Sequence, residues 1–184
     1  PDDTLLLSVG RLSRRKGFDT VIKSLALLNQ QALPVHYALI GIGEDLAYLT
    51  ALATEYGVAS QVHFLGHVAP DDLPRWYNAC ALFVMPNREV NGDTEGFGMV
   101  YIEAAACGKT AISGKVGGPP NAVLDRVTGL NIDGENVEQL AVAINELVTN
   151  QALKLTLEHN AQQRVLNEMT WQKVALATQN LINC

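Results

Sequence analysis

Short, unbroken apolar runs alternate with segments of helical period along most of this 184-residue chain, and that alternation limits the folds open to it. The runs cover residues 5–9, 35–40, 62–65, 81–85, 110–113 and 128–132. None alternates apolar with polar residues, so each is expected to be a strand covered on both faces. Between them, Phe18, Val21, Ile22, Leu25, Ala26 and Leu28 recur at spacings of three and four, which marks a helix stripe. Leu46, Leu49, Leu52 and Ala53 mark a second helix, and Leu73, Trp76 and Tyr77 a short third. Met99, Ile102 and Ala106 mark a fourth that stops at Gly108. Pro119 and Pro120 suit the entry of a fifth. From residue 132 onward only helical pattern remains, over 137–148, 153–166 and 171–182. Strand–helix alternation implies right-handed crossovers between parallel strands. The expected class is α/β: a Rossmann-like, doubly wound parallel sheet of about six strands with helices on both faces and a helical carboxy-terminal tail.

Composition agrees with one globular domain, since 48% of residues are hydrophobic and 17% charged. A net charge of -6 argues against a nucleic-acid partner, although a few basic residues can still be focused in a cleft. Cys80, Cys107 and Cys184 have no metal-ligand spacing and read as buried or free thiols in a reducing compartment. No apolar run reaches the roughly 20 residues of a membrane span, and no signal segment is recognisable. The chain begins at Pro1 and enters a strand-like run almost at once, so it is expected to be a piece of a longer protein.

In a doubly wound sheet, ligands bind where strand carboxyl ends meet helix amino ends. Polar and glycine residues collect at those places here. After the first strand, Gly10 and Gly17 bracket Arg11 and Lys16, which can attract a phosphate together with a helix amino end. A solvated basic loop is the competing reading, and the Walker-type GxxxxGK[ST] loop is absent. After the second strand, Gly41 would let a ligand lie against the main chain, whereas Gly43 reads as a plain turn. After the third, the turn at Gly66, His67 and Val68 could offer backbone groups to a flat base. His63 and His67 read as surface or packing residues, and four scattered histidines make a zinc site unexpected.

The stretch from Asp93 to Gly108, DTEGFGMVYIEAAACG, carries the most information. Gly96 and Gly98 bracket Phe97, and the amides of Phe97, Gly98, Met99 and Val100 are candidate free donors of a first helical turn. Glu95 precedes the helix, and Glu103 lies roughly 9–10 Å beyond its start at 1.5 Å per residue. Glu95 reads either as a helix-dipole partner or as an acceptor for a ligand. Glu103 is flanked by Ile102, Ala104, Ala105 and Ala106, so it is expected in apolar surroundings where an unpaired carboxylate is costly. A partner within the protein is the rival to a ligand. The loop from Gly114 to Gly118, with Lys115, reads equally as a flexible basic ligand loop or a crossover turn.

Gly10-Arg11 with Lys16-Gly17, Phe64-Leu65-Gly66, Glu95-x7-Glu103 ending in Ala-Cys-Gly, and Gly117-Gly118 together resemble the donor half of GT-B retaining glycosyltransferases. That family includes sucrose synthases, lipopolysaccharide glucosyltransferases and phosphatidylinositol mannosyltransferases. The resemblance covers nearly the whole chain. It implies that Arg11 and Lys16 hold the diphosphate of a nucleotide-sugar and stabilise its charge as the sugar leaves. It implies that Glu95 contacts the transferred hexose, Glu103 the ribose, the amides from Phe97 to Val100 sugar and phosphate, and the turn at Val68 the base. It further implies a hexosyltransferase that needs no metal or cofactor, with the acceptor bound by an amino-terminal domain outside this chain. The donor-binding domain would then occupy residues 1–184, inactive or nearly so alone. The implied partners are a nucleotide-sugar and an acceptor glycan or lipid-linked sugar, with no nucleic acid. The implied place is the cytoplasm, with peripheral membrane contact in the full-length protein. Pro120-Asn121 stands where the family often has Pro-Glu, so that glutamate's contact does not carry over. The loop 87–94, with Arg88 and Asp93, resembles the mannosyltransferase-like branch.

The alternative is a non-catalytic Rossmann-like module kept for nucleotide or protein binding. A sugar-nucleotide epimerase is disfavoured, because acid/base histidines and carboxylates do not cluster. The donor reading requires Arg11, Lys16, Glu95 and Glu103 to converge on one groove at the carboxyl edge of the sheet.

Overall fold

A computed structural model describes residues 4–33 and 35–182. The apolar runs become strands β1 (Thr4–Val9), β2 (Val35–Ile40), β3 (Val62–Gly66), β4 (Leu82–Met85), β5 (Ala111–Gly114) and β6 (Gly129–Ile132). All pair in parallel in the order β3-β2-β1-β4-β5-β6, so the winding reverses between β1 and β4. The helices are α1 (Phe18–Gln30), α2 (Leu46–Glu55), α3 (Leu73–Ala79), α4 (Met99–Ala106), α5 (Pro119–Ala122), α6 (Val137–Thr149), α7 (Gln151–Glu168) and α8 (Trp171–Ile182). Helix α1 packs on α2 and α6, whereas α4 packs on α3, α5 and α7, which gives one helical layer on each face. The expected α/β architecture, with its helical tail, is what the chain adopts.

Strands β1, β2, β4 and β5 are buried along most of their length because both faces are covered: Leu6, Leu7, Leu39, Phe83, Val84 and Ile112 are fully buried. Helix α1 turns Phe18, Val21, Ile22, Leu25 and Leu28 into that core. Burying each such side chain contributes about 1.5–3 kcal/mol before entropy is counted. Strands β1 and β4 share only two register pairs, Leu6 with Leu82 and Leu7 with Phe83. A buried polar relay extends the junction: Tyr37 Oη donates to Ser8 Oγ (2.8 Å), which donates to the Val84 carbonyl. Its partners are satisfied, so the relay avoids the penalty of orphaned buried hydroxyls. Burial pushes the Tyr37 phenol above its usual range.

Two helix stripes differ from expectation. On α4 the buried residues are Tyr101, Ile102, Ala104 and Ala105, while Met99 (48% exposed) and Ala106 lie outside. On α2, Leu49, Leu52 and Ala53 are buried but Leu46 is not. In both helices the exposed first apolar residue is the residue that opens the helix. The capping pattern is conventional farther along: Asn136 accepts from the Gln139 amide (2.8 Å) and Asn150 from the Leu153 amide (3.0 Å). Of the three cysteines, Cys80 is buried, Cys107 is half-buried, and both are free thiols. Cys184 lies outside the described residues. No described helix is long and apolar enough to cross a membrane.

Candidate functional site at the carboxyl edge of the sheet

The loops after β1, β2, β4 and β5 meet at the carboxyl edge, and glycines let their main chains touch. Gly41, at φ +146°, faces the Gly10 carbonyl so closely that a side-chain carbon would overlap it. The approach foreseen for a ligand at Gly41 is therefore taken by the protein's own backbone. Gly41 nonetheless lines an open groove together with Arg11, Ile42, Gly43 and His67. Gly118 presses on the Gly96 carbonyl, and its amide donates to the Glu95 carbonyl (3.0 Å). That contact pins the 93–98 segment against the 114–118 loop.

The cations after β1 sit in a short 3-10 turn, Arg14–Lys16, closed by Gly17 at φ 72°. Lys16 folds back beneath Gly10 and is buried. Its Nζ lies 2.5 Å from Glu95 Oε2. Arg15 reaches the same oxygen through Nη1 at 2.7 Å, and its Nε lies 3.0 Å from Asp93. Asn87, fully buried, points Nδ2 at Glu95 Oε2 from 3.4 Å. Burial pushes the Glu95 carboxyl up, but its bonds to Lys16 and Arg15 outweigh this and hold it below the usual carboxylate range. The expected juxtaposition of Lys16 with Glu95 is present.

Arg11 and Glu103 do not join that cluster. Arg11 stands at the rim with its side chain 73% exposed, paired to Glu44 at 3.1 Å. Glu103 is exposed on α4, not set in apolar surroundings as expected. Its flanking residues Ile102 and Ala104 face the core, which leaves position 103 on the opposite side of the helix. Its Oε2 accepts a hydrogen bond from Tyr77 Oη on α3 at 2.7 Å, the protein partner named as the rival reading. The convergence of all four on one groove, which the donor reading expected, is therefore not found: only Lys16 and Glu95 meet, while Arg11 pairs with Glu44 and Glu103 with Tyr77.

Gly98 caps α4 at φ 84°, and the first amide of that helix to find a carbonyl is Tyr101, on Gly98 (3.0 Å). The amides of residues 97–100 precede this bond, with Phe97 and Met99 partly exposed and Val100 half-buried. Beyond β3, His67 and Val68 join Ala69, Asp72, Arg75, Trp76 and Ala79 around a second open groove, and His67 borders both grooves. Lys115 is exposed and pairs with Asp133 at 3.4 Å. Among the described residues no group of three or more His, Cys, Asp or Glu side chains is placed to hold a metal.

Sequence reasoning passed over Arg14, Arg15 and Asn87. Arg14 stacks 3.2 Å above the Tyr48 ring and pairs with Asp45 (3.2 Å). Arg88 forms an ion pair with Asp19 (2.9 Å) and donates to Thr20 Oγ1 (3.1 Å), tying the 87–94 loop to the start of α1. The arginine run at 14–15 was visible, but a 3-10 turn sends neighbouring side chains in different directions, and no helical or strand period reports them.

Comparison with known proteins places this geometry. The family model for glycosyl transferases group 1 matches residues 1–164. The chain is 31% identical over 173 residues to a GDP-mannose-dependent alpha-(1-6)-phosphatidylinositol monomannoside mannosyltransferase of Mycolicibacterium smegmatis, covering 93% of this chain and 45% of that protein. It superposes on Anabaena Alr3699/HepE, crystallised with UDP, with a TM-score of 0.87, 26% identity, and coverage of 100% of this chain and 50% of that one. The crystallised C-terminal domain of the group 1 protein LpcC from Francisella tularensis shares the fold (TM-score 0.80, 23% identity, 92% of this chain and 87% of that one). The chain spans about half the length of the curated relatives it matches. A family match across nearly nine-tenths of the residues leads to one assignment: this chain belongs to the glycosyl transferases group 1 family.

Proposed function

We propose that this chain is the donor-binding domain of a glycosyltransferase that moves a hexose from a nucleotide-diphosphate sugar to an acceptor. The observation that carries the reading is the Lys16–Glu95 pair, 2.5 Å apart, directly before the unbonded amides that open α4. A buried cation, a carboxylate and free amides in one place suit a ligand that has an anionic end and a hydroxylated end. Arg11 and Lys16 take the diphosphate, and the amides from Phe97 to Val100 take phosphate and sugar oxygens. Glu95 accepts from hexose hydroxyls. Glu103, turned outward on α4, accepts from the ribose, and Val68 and Gly41 line the grooves that receive the nucleoside beside Gly10. Binding requires Lys16 to exchange part of its contact with Glu95 for phosphate oxygens.

Charge developing on the departing diphosphate then meets Arg11, Lys16 and the amino end of α4, so the stabilisation is electrostatic and preorganised. No metal or cofactor is needed in this scheme. The family resemblance supports a retaining outcome, with Glu95 and Glu103 acting at different parts of the donor, not as the paired carboxylates of a glycosidase. The relatives' names support a GDP-mannose donor, and the UDP complex of the structural neighbour supports a uridine one. Residues 1–184 form the donor half, inactive by themselves, and a further amino-terminal domain supplies the acceptor, a glycan or a lipid-linked sugar, in the cytoplasm or at the inner membrane face.

Calorimetric titration of the chain with GDP, UDP and inorganic diphosphate tests the reading. Saturable binding of one nucleotide is expected, weakened about tenfold by Arg11→Ala. Glu103→Gln should weaken nucleotide binding more than inorganic diphosphate binding. No saturable heat with either nucleotide, or wild-type affinity in both variants, would defeat it.

A further inference from the structure

Glu95 offers two carboxylate oxygens, and the described residues bond to one of them. Oε2 accepts from Lys16 Nζ (2.5 Å), Arg15 Nη1 (2.7 Å) and Asn87 Nδ2 (3.4 Å). Oε1 has no hydrogen-bond partner among the described residues. The amide of Asn87 cannot rotate freely, because its Oδ1 accepts from Tyr101 Oη, itself bonded to the Met85 carbonyl (2.5 Å). Arg15 is fixed from the other side: its carbonyl accepts the Arg88 amide (2.9 Å), and its guanidinium spans Asp93 and Glu95. One planar group thus ties the turn after β1 to the segment that carries Glu95.

We propose that Arg15 is a positioning residue for the donor sugar: it holds the Oε2 edge of Glu95 so that Oε1 stays turned to a hexose hydroxyl. This rests on the donor-site reading above. It explains why two cations meet one carboxylate oxygen. When a diphosphate enters, Lys16 is the group beside Gly10 that can turn to it, being a point charge on a flexible stem. Glu95 would then lose its shortest contact at the moment it is needed. Arg15 remains, because its guanidinium is spanned between Asp93 and Glu95 and does not lie beside Gly10. A guanidinium can bridge two carboxylates at fixed angles, and an ammonium cannot do so with the same geometry.

The test is calorimetry of the 184-residue chain with the pairs GDP and GDP-mannose, and UDP and UDP-glucose, in a double-mutant cycle. Arg15→Met is expected to weaken the nucleotide-sugar by about tenfold or more while the free nucleotide changes less than about threefold. Arg15→Lys should recover part of the loss, and it carries the test by the same selective pattern if Arg15→Met does not fold. In a Glu95→Gln background, Arg15→Met should add no further selective loss. Equal losses for nucleotide and nucleotide-sugar would overturn the proposal, since Arg15 would then act on the diphosphate or on the fold. An undiminished effect in the Glu95→Gln background would overturn it as well. If wild type binds none of the four ligands, the donor-site reading fails and this inference falls with it.

Discussion

Replacing Lys16 with methionine keeps a long apolar stem under Gly10 and removes only the charge that meets Glu95. The pair is 2.5 Å apart, with 10% and 13% of the two side chains exposed. Breaking a buried pair by removing one partner typically costs about 3–5 kcal/mol, because the other charge stays buried. Here Arg15 remains 2.7 Å from the same oxygen, so the expected cost is smaller, about 1–3 kcal/mol. For a chain of this size each kcal/mol lowers Tm by roughly 2–4 °C, which places the shift at about 2–12 °C. The pH dependence separates this cause from simple loss of packing. The Glu95 carboxyl is pushed up by burial and, more strongly in sum, held down by Lys16 and Arg15, so its folded pKa lies below its unfolded one. Stability from such a group is fully present above the unfolded value, near 4.3, and is lost as pH falls through the folded value. The gap in Tm between wild type and Lys16→Met should therefore be level from about pH 7 to 5 and close below about pH 4. Differential scanning calorimetry across that range reads it directly. A gap that persists unchanged in acid would refute the electrostatic account and assign the loss to the stem.

Two further expectations concern the frame around the pair. Gly118→Ala would drive a methyl into the Gly96 carbonyl and toward Phe97 Cα, costing about 1–3 kcal/mol or more, while Gly57→Ala, at φ +68° with open space around it, should cost only about 1–2 kcal/mol of backbone strain. Urea unfolding of both variants checks the order, and a larger loss at Gly57 would contradict the close contact. Burial pushes the Cys80 thiol up to about 12, whereas the half-buried Cys107 is raised less and is reachable, so iodoacetamide at pH 8 should modify Cys107 well before Cys80, as mapped by mass spectrometry.

The layout of the sheet was legible because a strand covered on both faces reads as a near-continuous apolar run. Residues 35–40 are an example: their predicted limits coincide with β2. The carboxyl-edge location of the site followed from the same pattern. Side-chain directions at that edge were less accessible. Glu103 looked enclosed in the linear sequence because Ile102, Ala104 and Ala105 adjoin it. On a helix Ile102 and Ala104 lie about 100° from it on either side and Ala105 about 160° away, and the face that holds them excludes it. Arg15 and Asn87 were hidden for another reason: each acts across a gap in sequence, 80 residues from Arg15 to Glu95 and 8 from Asn87 to Glu95. Their roles depend on loop closure by Gly17 and Gly118, and residue type does not encode such closure.

The pairing of the loop's cations also reconciles a net charge of -6 with the anion site proposed above. Arg11 meets Glu44, Arg14 meets Asp45, Arg15 meets Asp93 and Glu95, and Lys16 meets Glu95. Each cation of this loop is paired among the described residues, so in the proposed site entry of a diphosphate is an exchange of anions, not a capture by an open field. The Coulomb gain from phosphate is offset by contacts surrendered to carboxylates, which leaves selectivity to the groups those carboxylates can bind next. For Glu95 that group is a hydroxyl, because its unused oxygen accepts without needing a further cation. A nucleotide lacking the sugar forfeits this compensation, and an inorganic anion forfeits the nucleoside contacts as well. Affinity built this way should rise from inorganic diphosphate to nucleotide to nucleotide-sugar. It should also depend on salt less steeply than binding at an unpaired basic patch, since few counterions are held there to be released.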